Sequence, residues 1–122
     1  MSESKALTTI VVEESFESVP VGGYRTKFLR VEEAEGSPQY GPALRWCFEI
    51  TDGTMVGKLA TALTGQRFTA KTNAGKLLSQ LQGKPLEKGQ TVDLSQFVGQ
   101  VFAANVVETE SGSTKVDSVF RV

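Results

Sequence analysis

The sequence predicts a mainly β protein of five strands, with one helix between the third and fourth strands. Two observations carry this prediction. Apolar and polar residues alternate with a period of two in several separate stretches, as in half-buried strands. One segment only, near residue 75, switches to the spacing of a helical face.

Residues 1–19 read as an acidic N-terminal arm. It holds Glu3, Glu13, Glu14 and Glu17 against Lys5, and its "TTIVV" (8–12) has strand character. Pro20 separates the arm from a domain spanning 20–122. Tyr24 to Glu32 is the first strand, of mixed parity that suggests a bulge. "GSPQYGP" (36–42) is dense in turn residues and reads as a loop. In "LRWCFEITDG" Leu44, Trp46, Phe48 and Ile50 share one parity and Arg45, Cys47 and Glu49 the other, so 43–51 is a strand ended by an Asp-Gly turn. "GKLATALTG" (57–65) is the third strand, with Leu59, Thr61 and Leu63 alternating against Lys58, Ala60 and Ala62.

Ala74, Leu77, Leu78 and Leu81 then fall at i, i+3, i+4 and i+7, which predicts a helix over 73–82. Asn73 is the expected N-cap and Gly83 the stop, with Pro85 beyond. A connector with one short turn at Leu94 to Phe97 leads to two closing strands, Val101 to Glu108 and Lys115 to Val122. Three strands, a helix and two strands is the order of the OB-type Greek-key barrel.

Length and composition bound the function. A chain of 122 residues is most simply one main domain. At 39% hydrophobic and 22% charged it has ordinary globular composition, with no apolar run near the ~20 residues of a membrane helix. The polar N-terminus does not read as a signal peptide, and a single Cys forms no internal disulfide, so the cytoplasm is the expected compartment. The absence of His removes His-based triads and His metal sites, and one Cys makes no structural zinc site. "GTMVGK" (53–58) has three residues between its glycines and is followed by Leu59, so it is not a phosphate-binding loop. The chain therefore reads as no enzyme, with no cofactor and no metal.

Charge is distributed unevenly. The net value is −1, yet residues 41–88 hold seven cations (Arg45, Lys58, Arg67, Lys71, Lys76, Lys84, Lys88) against Glu49, Asp52 and Glu87. Such a segment is either a solvated face or a local surface for a polyanion.

A family resemblance follows from specific stretches. "VPVGGYRTKFLRVEEAE", "GPALRWCFEITDGTMVGK" and "VDLSQFVGQVFAANVVETESGSTKVDSVFRV" resemble small phage-encoded proteins of the single-stranded-DNA-binding type. Pro20, Gly22 or Gly23 and Tyr24 match that family's P-x-G-x-Y lead-in to the first strand. Glu49, Ile50, Asp52 and Gly53 match its E-I-x-D/E-G, and Gly57-Lys58 the pair opening the third strand. Phe97-Val98-Gly99 matches the late element, where Gln100 replaces the usual basic residue. The resemblance covers roughly residues 18–122 and implies an OB fold, phage replication or recombination, and a bacterial host cytoplasm. Typical bacterial single-strand binders end in an acidic tail that recruits partners. Here the sequence ends in strand-like "DSVFRV", so the arm at 1–17 is expected to take that part or to occupy the groove without DNA.

Leu44, Trp46, Phe48 and Ile50 are read as core, so Trp46 packs rather than stacks on bases. The outward parity carries Arg45 and Cys47, the latter a small packing residue, with Lys58, Ala60 and Ala62 expected beside them. Small side chains among cations would let a sugar-phosphate chain lie close to strands two and three, the usual OB ligand face. Stacking rings are then sought in the loops. Tyr40 is either a stacking ring or a loop anchor. Phe68, between Arg67 and Lys71, is either a stacking ring or a plug under the barrel. Arg25 and Lys27 extend the basic track or keep the first strand soluble. The expected function is non-catalytic, sequence-tolerant binding of single-stranded DNA, or of RNA, with homo-oligomers through the arm or sheet edges and no membrane partner. The alternative is a phage structural or assembly module using the barrel and arm for protein contacts.

Overall fold

A computed structural model describes residues 19–37, 41–110 and 112–122. The arm up to residue 18, its "TTIVV" and Tyr40 lie outside the described residues. Five strands form one antiparallel sheet: β1 (Gly22–Ser37), β2 (Gly41–Ile50), β3 (Leu59–Thr64), β4 (Val101–Glu108) and β5 (Thr114–Arg121). Helix α1 (Asn73–Gln82) and a 3₁₀ turn (Leu94–Phe97) lie between β3 and β4. No helix among the described residues is long and apolar enough to cross a membrane.

The strand order is β3-β2-β1-β4-β5. Strand β1 is long enough to serve two neighbours, pairing through Gly22–Lys27 with β4 and from Thr26 onward with β2. At the crossing, the N–H of Phe28 donates to the Gln100 carbonyl at 3.0 Å, and Phe28 accepts from Gly99 at 2.8 Å. The two end strands, β3 and β5, come close to one another, but among the described residues no ladder joins them.

The predicted period holds on β2. Trp46, Phe48 and Ile50 are wholly buried, and Leu44 is partly buried against the same core. Phe28, Phe48 and Phe102 make a tilted and an edge-on contact at 5.5 and 6.5 Å. The indole N–H of Trp46 is satisfied by Thr64 Oγ1 at 2.8 Å, and buried Thr26 donates to the Phe102 carbonyl at 2.9 Å. One cluster draws on every strand, the helix and Phe97.

The faces of β3 are the reverse of the expectation. Ala60 pairs with Phe48 and Ala62 with Trp46, so the alanines turn inward and are buried. Leu59, Thr61 and Leu63 stand outward beside Glu49, Cys47 and Arg45. Volume explains the reversal. Phe48 and Trp46 fill the core on β2, which leaves room only for methyl groups opposite.

The helix forms where its period predicts it, but its cap is Thr72 rather than Asn73. Thr72 Oγ1 accepts from the Gly75 N–H at 3.1 Å. Gly83 ends the helix at φ 74, in the left-handed conformation that glycine adopts without strain. Leu77, Leu78 and Leu81 then bury one face, and the helix packs on β5.

Candidate nucleic-acid interface

The outer face of the sheet brings several predicted residues together. Cross-strand partners share a face, so the ladder assigns it directly. Lys27 stands opposite Glu49, Arg30 opposite Cys47 and Glu32 opposite Arg45. Arg25, opposite Ala103 of β4, belongs to the same face and is exposed.

Arg30 was missed by alternation from the sequence. Counting by twos from Lys27 reaches Leu29 and Val31 and turns Arg30 inward. A bulge between Phe28 and Arg30 absorbs one residue and swings Arg30 onto the face of Lys27.

Carboxylates already hold part of this charge. Glu32 accepts from Arg30 Nε at 3.1 Å and from Arg45 Nη1 at 3.2 Å. Lys27 Nζ lies 3.3 Å from Glu49 Oε1. From Arg25 to Ala34 and from Ala43 to Glu49, four cations (Arg25, Lys27, Arg30, Arg45) face two carboxylates. The Arg30 hydrogen bond holds the Glu32 carboxyl below its usual range, against the opposing effect of burial and with further help from Arg45. Glu32 is therefore ionised at neutral pH. Cys47, on this same face, is wholly buried with Sγ 4.0 Å from Glu32 Oε1, in keeping with a packing role.

The remaining predicted residues sit at opposite ends of β3. Exposed Lys58 precedes the strand, its carbonyl accepting from the Ile50 N–H at 2.9 Å. Arg67, Phe68 and Lys71 lie in the loop after it, all exposed. The two groups are about 20 Å apart along a six-residue strand. Thr72 anchors that loop, its hydroxyl donating to the Arg67 carbonyl at 2.7 Å. The Phe68 ring meets Trp46 edge-on at 6.1 Å and remains 41% exposed. It caps the end of the core while presenting part of its surface to solvent.

Phe120 was not singled out from the sequence. It pairs with Ala103, turns outward and is 58% exposed. The signal was present in the alternation of "VDSVFRV", where Val116 and Val119 are core, but a bulge beside Asn105 and Val106 obscures the parity.

Beside this face, a cleft of about 250 Å³ runs between β3 and β5, lined among others by Val19, Arg45, Leu63 and Lys115. Among the described residues no three His, Cys, Asp or Glu side chains gather as a metal-holding group. The arrangement offers fixed cations and two aromatic rings, Phe68 and Phe120, open to solvent. No known family model matches the sequence, and no curated protein matches it.

Proposed function

We propose that this chain binds single-stranded DNA without catalysis and with little sequence preference, on an OB-type Greek-key barrel, in phage replication or recombination. The strand order, the single helix before β4 and the close approach of β3 to β5 support the barrel reading. One observation carries the binding reading. Arg25, Lys27, Arg30 and Arg45 occupy one face of two adjacent strands with a local positive excess, although the whole chain is slightly acidic. A polyanion binds such a face through its phosphates, which carry no sequence information. Glu32 and Glu49 moderate the attraction, so the expected affinity is modest. Lys58 and the loop of Arg67, Phe68 and Lys71 lie beyond the two ends of β3 and add charge there.

The test is a titration of fluorescently labelled oligothymidylate at several salt concentrations. Affinity should fall with a log–log slope of about −0.7 per phosphate contact on a single strand. Replacing Arg25 and Arg45 together by Ala should flatten the slope by roughly 1.4 units and leave base preference unchanged. A wild-type chain that fails to bind at ~50 mM salt would overturn the reading in favour of the assembly module. That alternative draws on the edges of β3 and β5, which pair on one side only among the described residues.

A further inference from the structure

We propose that Phe120 is a base-stacking platform and that the bound strand crosses β1, β4 and β5, rather than keeping to β2 and β3. This rests on the single-stranded nucleic-acid reading and names the surface that receives the bases. Three observations converge on it. First, Phe120 is 58% exposed, more than Phe68, and stands on a strand rather than in a loop. A ring fixed by a ladder loses little entropy when a base settles on it.

Second, its surroundings leave the ring open. Its ladder partner is Ala103, and the next row on the same face is Gly23, Asn105 and Ser118. None of these side chains is large enough to cover a phenyl ring, and the exposed Asn105 amide has both a donor and an acceptor to offer a base edge.

Third, the same row continues to a cation. Ala103 pairs with Arg25 on its other side, which places Arg25 two strand spacings, about 10 Å, from Phe120. Arg25 is exposed and has no ion pair among the described residues. Ring, small floor and guanidinium in one line suit a stacked base with its phosphate toward β1. An exposed apolar strip is otherwise a surface for a protein partner, and the cation in its row is what fits a phosphate chain. Exposed Val101, opposite Lys27, widens the apolar floor without blocking the row.

The experiment uses the full chain and labelled oligothymidylate. Phe120→Ala should weaken binding roughly 5- to 150-fold, the loss expected for one stacked base, with the salt slope unchanged. Phe120→Trp should bind like wild type and report directly. Its added indole should be quenched by iodide in the free protein, and by the oligonucleotide when it binds, whereas buried Trp46 answers to neither. If Phe120→Ala binds like wild type while Arg25→Ala/Arg45→Ala is weakened, the platform is overturned and the binding reading stands. If the wild type does not bind at all, both fall together. If sedimentation shows that Phe120→Ala halves the mass of the particle, the strip is an interface between copies and the platform is overturned.

Discussion

Glu32 lies between Arg30 and Arg45, accepting from both guanidiniums, and its charge decides how much of the face is left for a phosphate. Its carboxyl titrates below the ordinary value of 4.5. The bridge is therefore complete above that pH and is lost as the pH falls through the lower folded value. Because the pair is part-exposed, its worth to stability is at most about 1 kcal/mol. Glu32→Gln should consequently melt close to wild type yet bind oligothymidylate more tightly, with the salt slope steeper by up to about 0.7 units as Arg30 becomes free to add one phosphate contact. Anisotropy titrations at two salt concentrations check this, and unchanged affinity would mean that the bound strand bypasses Arg30 and Arg45. The inner face answers to different physics. Phe48 is wholly buried between Phe28 and Phe102, so Phe48→Ala should cost about 3–5 kcal/mol in denaturant unfolding. Trp46 should emit as a buried indole and resist iodide quenching.

The segment from Arg67 to Gln82 works as a unit, and its geometry rests on two small residues. The Thr72 hydroxyl joins the Gly75 N–H of the first helical turn to the Arg67 carbonyl of the loop. Thr72→Ala should cost about 1 kcal/mol, the usual value of an N-cap, and should also loosen the loop bearing Phe68 and Lys71. Gly75 is more demanding, because a Cβ there would stand 1.8 Å from the Thr69 carbonyl oxygen. Gly75→Ala should force the loop away from the helix and destabilise by about 1–3 kcal/mol. Thermal melts of the two variants, with Trp46 emission as a monitor of the Phe68 contact, separate a capping loss from a displaced loop. This segment also shows what could be read from sequence. The helix was legible because four apolar residues fall at one helical spacing, and Leu94–Phe97 and Val101–Glu108 form at the bounds expected from the sequence. The N-cap was not, since Thr72 and Asn73 are both good caps and only packing of the loop chooses between them. The faces of β3 were not, because Leu59 and Leu63 are larger and more apolar than Ala60 and Ala62, yet it is the alanines that turn inward. Arg30 and Phe120 were missed for a third reason, that each follows a bulge: mixed parity announced the one in β1 but not its position, which decides the face of Arg30.

At the scale of the whole molecule, the ends of the strand order meet without a ladder among the described residues. Among these, each of β3 and β5 pairs on one side, so alternate residues turn N–H and C=O toward the gap between them. Side chains partly fill that gap. Gln80 of the helix accepts from the Val119 N–H at 2.9 Å, and Thr114 Oγ1 donates to the Val19 carbonyl at 2.6 Å. Val19 is buried there, which holds the start of the described chain at the mouth of the cleft. Unpaired edges are ordinarily a hazard, inviting another strand to add. Here the helix, Val19 and the opposite edge shield them, while Arg45, Lys76 and Lys115 place charge along the same seam. Protection against hydrogen exchange should follow this pattern. Amides of β1 from Thr26 to Phe28, where it is bonded toward both β2 and β4, should exchange slowest, near the limit of global unfolding. Gap-facing amides of Leu59–Thr64 and Thr114–Asp117 should exchange markedly faster, with Val119 an exception because Gln80 holds it. Protection of β3 and β5 equal to that of β1 would mean that the seam is hydrogen-bonded in solution and the barrel closed. In either case, oligothymidylate bound across β1, β4 and β5 should slow exchange on those strands and leave the amides of β3 unchanged, whereas a strand bound along β2 and β3 should do the reverse.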